Sequence, residues 1–214
     1  MRTIMKRVII ILMAVITMPA LADINQSKVA ICAACHNLDG NSVMPLWPKL
    51  AGQSASYIIK QLEDFKSDHR SNETMSPMVK AINGQDIKDL AAYFSTQIVT
   101  PNVSTQPELL ATGKQIYLQG NIKKQVLACT GCHGANGTGN SDLLQSIQAV
   151  TSIEAPAIGS QHAAYLEKQL QDFKAGTRHN DVAKIMRNIA KGMTEAEMKA
   201  VAEYISSLSR KENL

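Results

Sequence analysis

Large aromatic side chains are scarce in this sequence: three Phe, five Tyr and one Trp among 214 residues. That length suits one or two small domains, and so few rings leave each of two small domains short of core material without a covalent or metal staple. An excess of either charge is also missing. Without Arg2, Lys6 and Arg7, which lie in an amino-terminal stretch read as a leader, Lys+Arg falls from 22 to 19 against 18 acids. A balance of +1 supplies no basic field, so nothing points to a nucleic-acid partner. Long apolar runs are absent too. Val8 to Thr17 is too short to span a bilayer comfortably. With its positive start and its Ala20-Leu21-Ala22 ending, it predicts a signal peptide over 1–22, cleaved before Asp23, and hence an exported protein.

Cysteine is equally sparse, and all four copies fall in one pattern written twice. "CAACH" occupies Cys32 to His36 and "CTGCH" occupies Cys129 to His133, 97 residues apart. The likeness between halves continues beyond the motifs. "PKLAGQSASYIIKQLEDFKSDHR" (Pro48 to Arg70) aligns without a gap on "PAIGSQHAAYLEKQLQDFKAGTR" (Pro156 to Arg178), and "INGQDIKDLAAYF" on "MTEAEMKAVAEYI". The chain is a tandem duplication of a small domain: 23–99, a linker over 100–107 carrying Pro101 and Pro107, and 108–214.

The periodicity within each half is helical. Tyr57, Ile58, Gln61, Leu62 and Phe65 repeat at helical spacing, as do Tyr165, Leu166, Gln169, Leu170 and Phe173. Asn83-x-x-Asp86 and Thr194-x-x-Glu197 open the last helix of each half, the second as a capping box. A further helix, about Glu108 to Gln119, leads toward the second motif. No alternating run is long enough for a strand, so the expected class is all-α.

Export makes two disulfides the first alternative for four cysteines. A bridge within either CxxC closes a tiny loop and stabilises little, and cross-half pairing leaves both histidines unexplained. A thioredoxin-like dithiol calls for a βαβ context, and a zinc site for CxxC pairs much closer together. Covalent haem attachment uses every residue of the pattern. Cysteines at i and i+3 lie on one face of a helical turn, so both sulfurs reach the vinyl groups of one porphyrin, and the next residue offers its imidazole to the iron. Cys32 and Cys35 with His36, and Cys129 and Cys132 with His133, are thus expected to hold two covalently bound haem c groups. These supply the missing apolar centres.

The repeat also chooses a sixth ligand. Met75 lies 18 residues before Tyr93, and Met186 lies 18 before Tyr204; these two alone are methionine in both halves. Met78 pairs with Ile189, Met193 with Ile82 and Met198 with Ile87, as core or helix-face residues do. Met75 and Met186, expected on loop-like segments, are the candidate axial ligands. His69, His162 and His179 have no matched partner and are read as solvated or structural.

With "CAACHNLDGNS", "YIIKQLEDFKS", "DIKDLAAYF", "ACTGCHGANGTGN", "YLEKQLQDFKAG" and "KIMRNIAKGM", the chain resembles the cytochrome c4 family, dihaem electron carriers of the Gram-negative periplasm. The resemblance covers nearly all of the mature chain. It implies two class I cytochrome c domains related by a pseudo-twofold, with haem propionates near their interface and His/Met ligation at His36/Met75 and His133/Met186. It implies a periplasmic location, a terminal oxidase as electron acceptor and a quinol-oxidising complex as source. It also implies that Pro48, 12 residues after His36, offers its carbonyl to the imidazole, with Pro156 as its equivalent. The reading is a carrier and not an enzyme. A dihaem peroxidase or the cytochrome subunit of a dehydrogenase is the alternative, and a loose membrane association stays open. Two departures from the family pattern stand out. His133 and Pro156 are 23 residues apart, through an added "SDLLQSIQAVTSIEA" loop, and Asn25 stands where a first-helix glycine is usual.

Overall fold

The computed structural model describes residues 26–140 and 154–210. The expected signal peptide and cleavage point, Asn25, and residues 141–153 of the added loop lie outside the described residues. The described chain is helical and its only β pairings are isolated bridges, as expected for an all-α protein.

In the first half, α1 (Gln26–His36), α2 (Ala55–Lys66), α3 (Met75–Lys80) and α4 (Gly84–Ser95) follow in order. Helix α2 packs on α3 and α4, and α4 also meets α1. Val29, Ile58, Leu90, Ala91 and Phe94 are buried between them, with Cys32 packed against this cluster. The second half contains α5 (Leu110–Gln119), α6 (Thr130–His133), α7 (Ala163–Ala175), α8 (Ile185–Lys191) and α9 (Glu195–Ser207). Its pairings repeat the first set: α5 on α9, α7 on α9 and α7 on α8.

One element differs between the copies. Helix α1 runs unbroken into its CxxCH, whereas the corresponding stretch of the second half is divided into α5 and α6. Gly120, at φ 67°, ends α5 in a conformation that only glycine adopts freely. A short excursion closed by Asn121 and Val126 follows before the motif begins.

Both final helices begin with a full capping box. Asn83 Oδ1 accepts from the Asp86 N–H at 2.9 Å, and Asp86 Oδ2 accepts from the Asn83 N–H at 3.2 Å. Thr194 and Glu197 do the same in α9. The first signature, expected only as a cap, is therefore reciprocal as well.

The halves meet through matched polar side chains. Arg70 donates to Gln61 of its own half at 2.7 Å, and to Tyr165 and Gln169 of the other at 3.1 and 2.8 Å. Arg178 mirrors it, donating to Gln169 at 2.8 Å and across to Tyr57 and Gln61 at 2.9 and 3.2 Å. Each guanidinium also lies over a phenylalanine of its own half, Phe65 or Phe173, within 4.6 Å of the ring centre. Residues between the halves are tied to both. The Thr100 N–H donates to Asn41 Oδ1 at 2.8 Å, Asn102 donates to the Ser160 carbonyl at 2.9 Å, and Ser104 donates to Glu203 at 2.9 Å.

Candidate functional site

Each CxxCH lies at a helix end, where cysteines one turn apart and the following histidine come together. Cys32, Cys35 and His36 close α1; Cys129 precedes α6, which carries Cys132 and His133. All four thiols are free and half-buried. Burial, with a smaller contribution from Cys35, raises the Cys32 pKa. Burial also pushes Cys129 up to about 11. A redox-active dithiol needs the opposite shift, toward thiolate at neutral pH. Among the described residues no three His, Cys, Asp or Glu side chains gather into a metal-binding cluster.

Both histidines are buried and held alike. His36 Nδ1 lies 2.8 Å from the Pro48 carbonyl oxygen, and His133 Nδ1 lies 2.9 Å from that of Pro156. A carbonyl can only accept, so Nδ1 carries the hydrogen and Nε2 keeps its lone pair for a metal. Burial lowers both imidazole pKa values despite these hydrogen bonds, which favours the neutral form that a ligand requires.

The added loop does not disturb this arrangement, because a turn next to the motif brings the proline back. The Gly40 carbonyl accepts from the N–H groups of Leu50 and Ala51 at 2.7 and 3.2 Å. Gly137, at the same offset from its histidine, accepts from Ile158 and Gly159 at 2.8 and 2.9 Å. A Cβ on Gly137 would stand 2.5 Å from the Gly159 nitrogen, so the returning segment can lie this close only against glycine. The Asn140–Ala155 bridge then closes the neck of the excursion.

Met75 and Met186 occupy equivalent places, although not on loops. Met75 is the first residue of α3 and Met186 the second of α8, and each short helix packs against the middle helix of its half. Both are half-buried. Met186 and Cys129 pack on the same buried cluster, formed around Tyr117, Phe173 and Met198. Met193 and Met198 are core residues, at 2% and 0% exposure, whereas Met78 stands out on an open helix face. His69 and His179 are exposed. His162 is structural, with Nε2 2.9 Å from the Ser42 carbonyl oxygen across the interface.

Two thiols, an imidazole of fixed tautomer and a repeat-matched thioether form a donor set that fits a covalently attached haem. Apolar side chains beside the first motif are uncovered, Leu38, Val43 and Leu46 among them, and Leu127 is likewise open ahead of the second. That is apolar surface for a large planar group to cover.

Sequence reasoning carried Gln53, Gln161, Arg70 and Arg178 only within the matched repeat, and Tyr57 and Gln61 only as part of a helical spacing. All of them reach across to the other half. Gln53 Nε2 donates to the Ala157 carbonyl at 2.8 Å while its Oε1 accepts from the Ala157 N–H at 3.0 Å. Gln161 pairs with Lys49 in the same way, at 2.9 and 2.8 Å. The available signal was a set of large polar side chains repeated in both copies on faces that should be buried.

Two helical domains, each with a histidine-bearing CxxC on a helix end, define a dihaem c-type cytochrome. The cytochrome c family matches residues 26–97 and again 110–209. Cytochrome c4 of Thiocapsa roseopersicina is 41% identical over 84% of this chain and 88% of its own length. The crystal structure of reduced recombinant cytochrome c4 from Pseudomonas stutzeri superposes with a TM-score of 0.77 at 39% identity, covering 86% of this chain and 96% of that one. A thiosulfate dehydrogenase electron acceptor of Stutzerimonas stutzeri is 32% identical over 85% of this chain and 80% of its own. The chain belongs to the cytochrome c4 family of dihaem electron-transfer proteins, and it carries two covalent haem c groups.

Proposed function

We propose that the protein relays single electrons in the periplasm, from a quinol-oxidising complex to a terminal oxidase, after removal of residues 1–22. In this reading the working units are 23–99 and 108–214, joined by 100–107. Cys32 and Cys35 anchor the first haem and Cys129 and Cys132 the second. His36 with Met75, and His133 with Met186, bind the two irons. The bound haem supplies one-electron ferric/ferrous chemistry. The chain's own residues fix each imidazole through a proline carbonyl, and Met75 and Met186 would each give a thioether to the bound haem's iron, a ligand that favours the ferrous state. A histidine and a methionine for each iron would suit a carrier better than peroxide chemistry, which needs an iron able to lose a ligand.

The observation that carries this reading is the repetition of the same Nδ1-to-proline hydrogen bond in both halves, despite loops of different length. A potentiometric titration of the haem-loaded protein, following the long-red methionine-to-ferric-iron band, tests it. Two methionine-ligated haems titrating at high potential are expected. One low-potential haem without the band removes Met75 or Met186 from the ligand set and reopens an enzymatic role at that iron.

The similarity to a thiosulfate dehydrogenase electron acceptor favours a second reading, in which the donor is a dehydrogenase and the chain its cytochrome partner. Stable co-purification with such an enzyme selects that reading. No helix among the described residues is long and apolar enough to cross a membrane, and a loose membrane association remains part of this proposal.

A further inference from the structure

We infer that Gln53 and Gln161 are crossed positioning residues: each half supplies the glutamine that sets the hydrogen bond on the other half's proximal histidine. This rests on His36 and His133 as iron ligands. The Pro48 carbonyl and the Lys49 N–H belong to one planar, resonance-coupled peptide group. Its oxygen accepts from His36 at 2.8 Å, and its N–H donates to Gln161 Oε1 at 2.8 Å. The second half is the mirror image. The Pro156 oxygen accepts from His133 at 2.9 Å, and the Ala157 N–H of the same peptide donates to Gln53 Oε1 at 3.0 Å.

A hydrogen bond given by a peptide N–H polarises the group and makes its oxygen a stronger acceptor. A stronger acceptor draws on the imidazole N–H and makes the ring a better electron donor to iron, which favours the ferric state. Each glutamine therefore lowers the potential of the haem in the other half. The second contact, from Nε2 to the carbonyl of the same residue, holds the side-chain amide in register, as in a strand pair. Both glutamines are buried, at 8% and 7% exposure, so water does not compete for these bonds.

The test uses the haem-loaded full chain with Q161M and Q53M, which keep side-chain length and remove the amide. The potential of each haem is followed separately through its assigned haem-methyl NMR signals. Q161M is expected to raise the potential of the first haem and leave the second. Q53M is expected to do the reverse. Exchange of the Lys49 amide hydrogen should quicken about tenfold in Q161M, as loss of one buried hydrogen bond implies. A shift confined to the mutated half, equal shifts in both, or no shift overturns the proposal. Y57F serves as control, because it removes an interface hydrogen bond from Arg178 without touching either glutamine. If Y57F reproduces the Q161M shift, general loosening is the cause and the proposal falls. If the wild-type protein lacks the methionine-to-iron band, the ligand assignment fails first. An intact band without crossed shifts sinks this inference alone.

Discussion

Single residues carry the two firmest expectations. M75A or M186A should abolish the long-red band of one haem and lower its potential by well over the roughly 59 mV that marks a tenfold change in a one-electron equilibrium. The other haem should keep its band, which visible and NMR spectra can resolve. Gly113 gives a steric counterpart on α5. A Cβ there would lie 2.1 Å from the Ala200 carbonyl oxygen of α9, so G113A forces the helices apart. Overpacking of this kind costs about 1–3 kcal/mol, to be read from urea unfolding. The candidate cysteines, histidines and methionines could be picked from the sequence because a duplication prints each candidate twice and sets aside unmatched rivals such as Met78 and His179. The crossed glutamines could not, since side-chain-to-backbone pairing over 104 or 112 residues leaves no local period.

At the scale of elements, the caps of α4 and α9 are separable from the haem sites. T194A removes one side of the box and should destabilise by about 1 kcal/mol without moving either potential. Asp86 in α4 adds a pH dependence. Its hydrogen bond from Lys28 holds its carboxyl below the usual range. A carboxyl whose folded pKa is depressed contributes stability above its unfolded pKa and loses it as pH falls through the folded value. D86N should therefore be less stable than wild type near neutral pH, and the gap in urea midpoint should narrow as pH falls below the ordinary carboxylate range. Helical period and N-terminal signatures located α2, α4, α7 and α9 well. The helix expected over about Glu108 to Gln119 matches α5 and stops at Gly120, which adopts positive φ, whereas the Asn121–Val126 bridge and the separate short α6 were not read from the sequence. The short helices under Met75 and Met186 were read as loops, as six- and seven-residue helices show too little period to detect.

At the scale of the whole molecule, the two buried arginines hold the halves together. R178L removes the donor to Tyr57 and one of the donors to Gln61 and Gln169, which both keep Arg70, at a cost of about 1 kcal/mol. R178K should recover little, since an ammonium cannot serve three acceptors while lying flat on Phe173. Unfolding of both variants by urea, with the haem spectra as probe, measures the difference. The crossed glutamines carry a consequence for the protein's ancestry. Two copies of a gene segment usually drift apart, each free to change while the other keeps its role. Here a substitution at Gln53 or Gln161 is felt by the sister copy, so neither copy answers for itself alone. A half excised and expressed singly would not be the ancestral monomer but one member of a pair that has lost its counterpart.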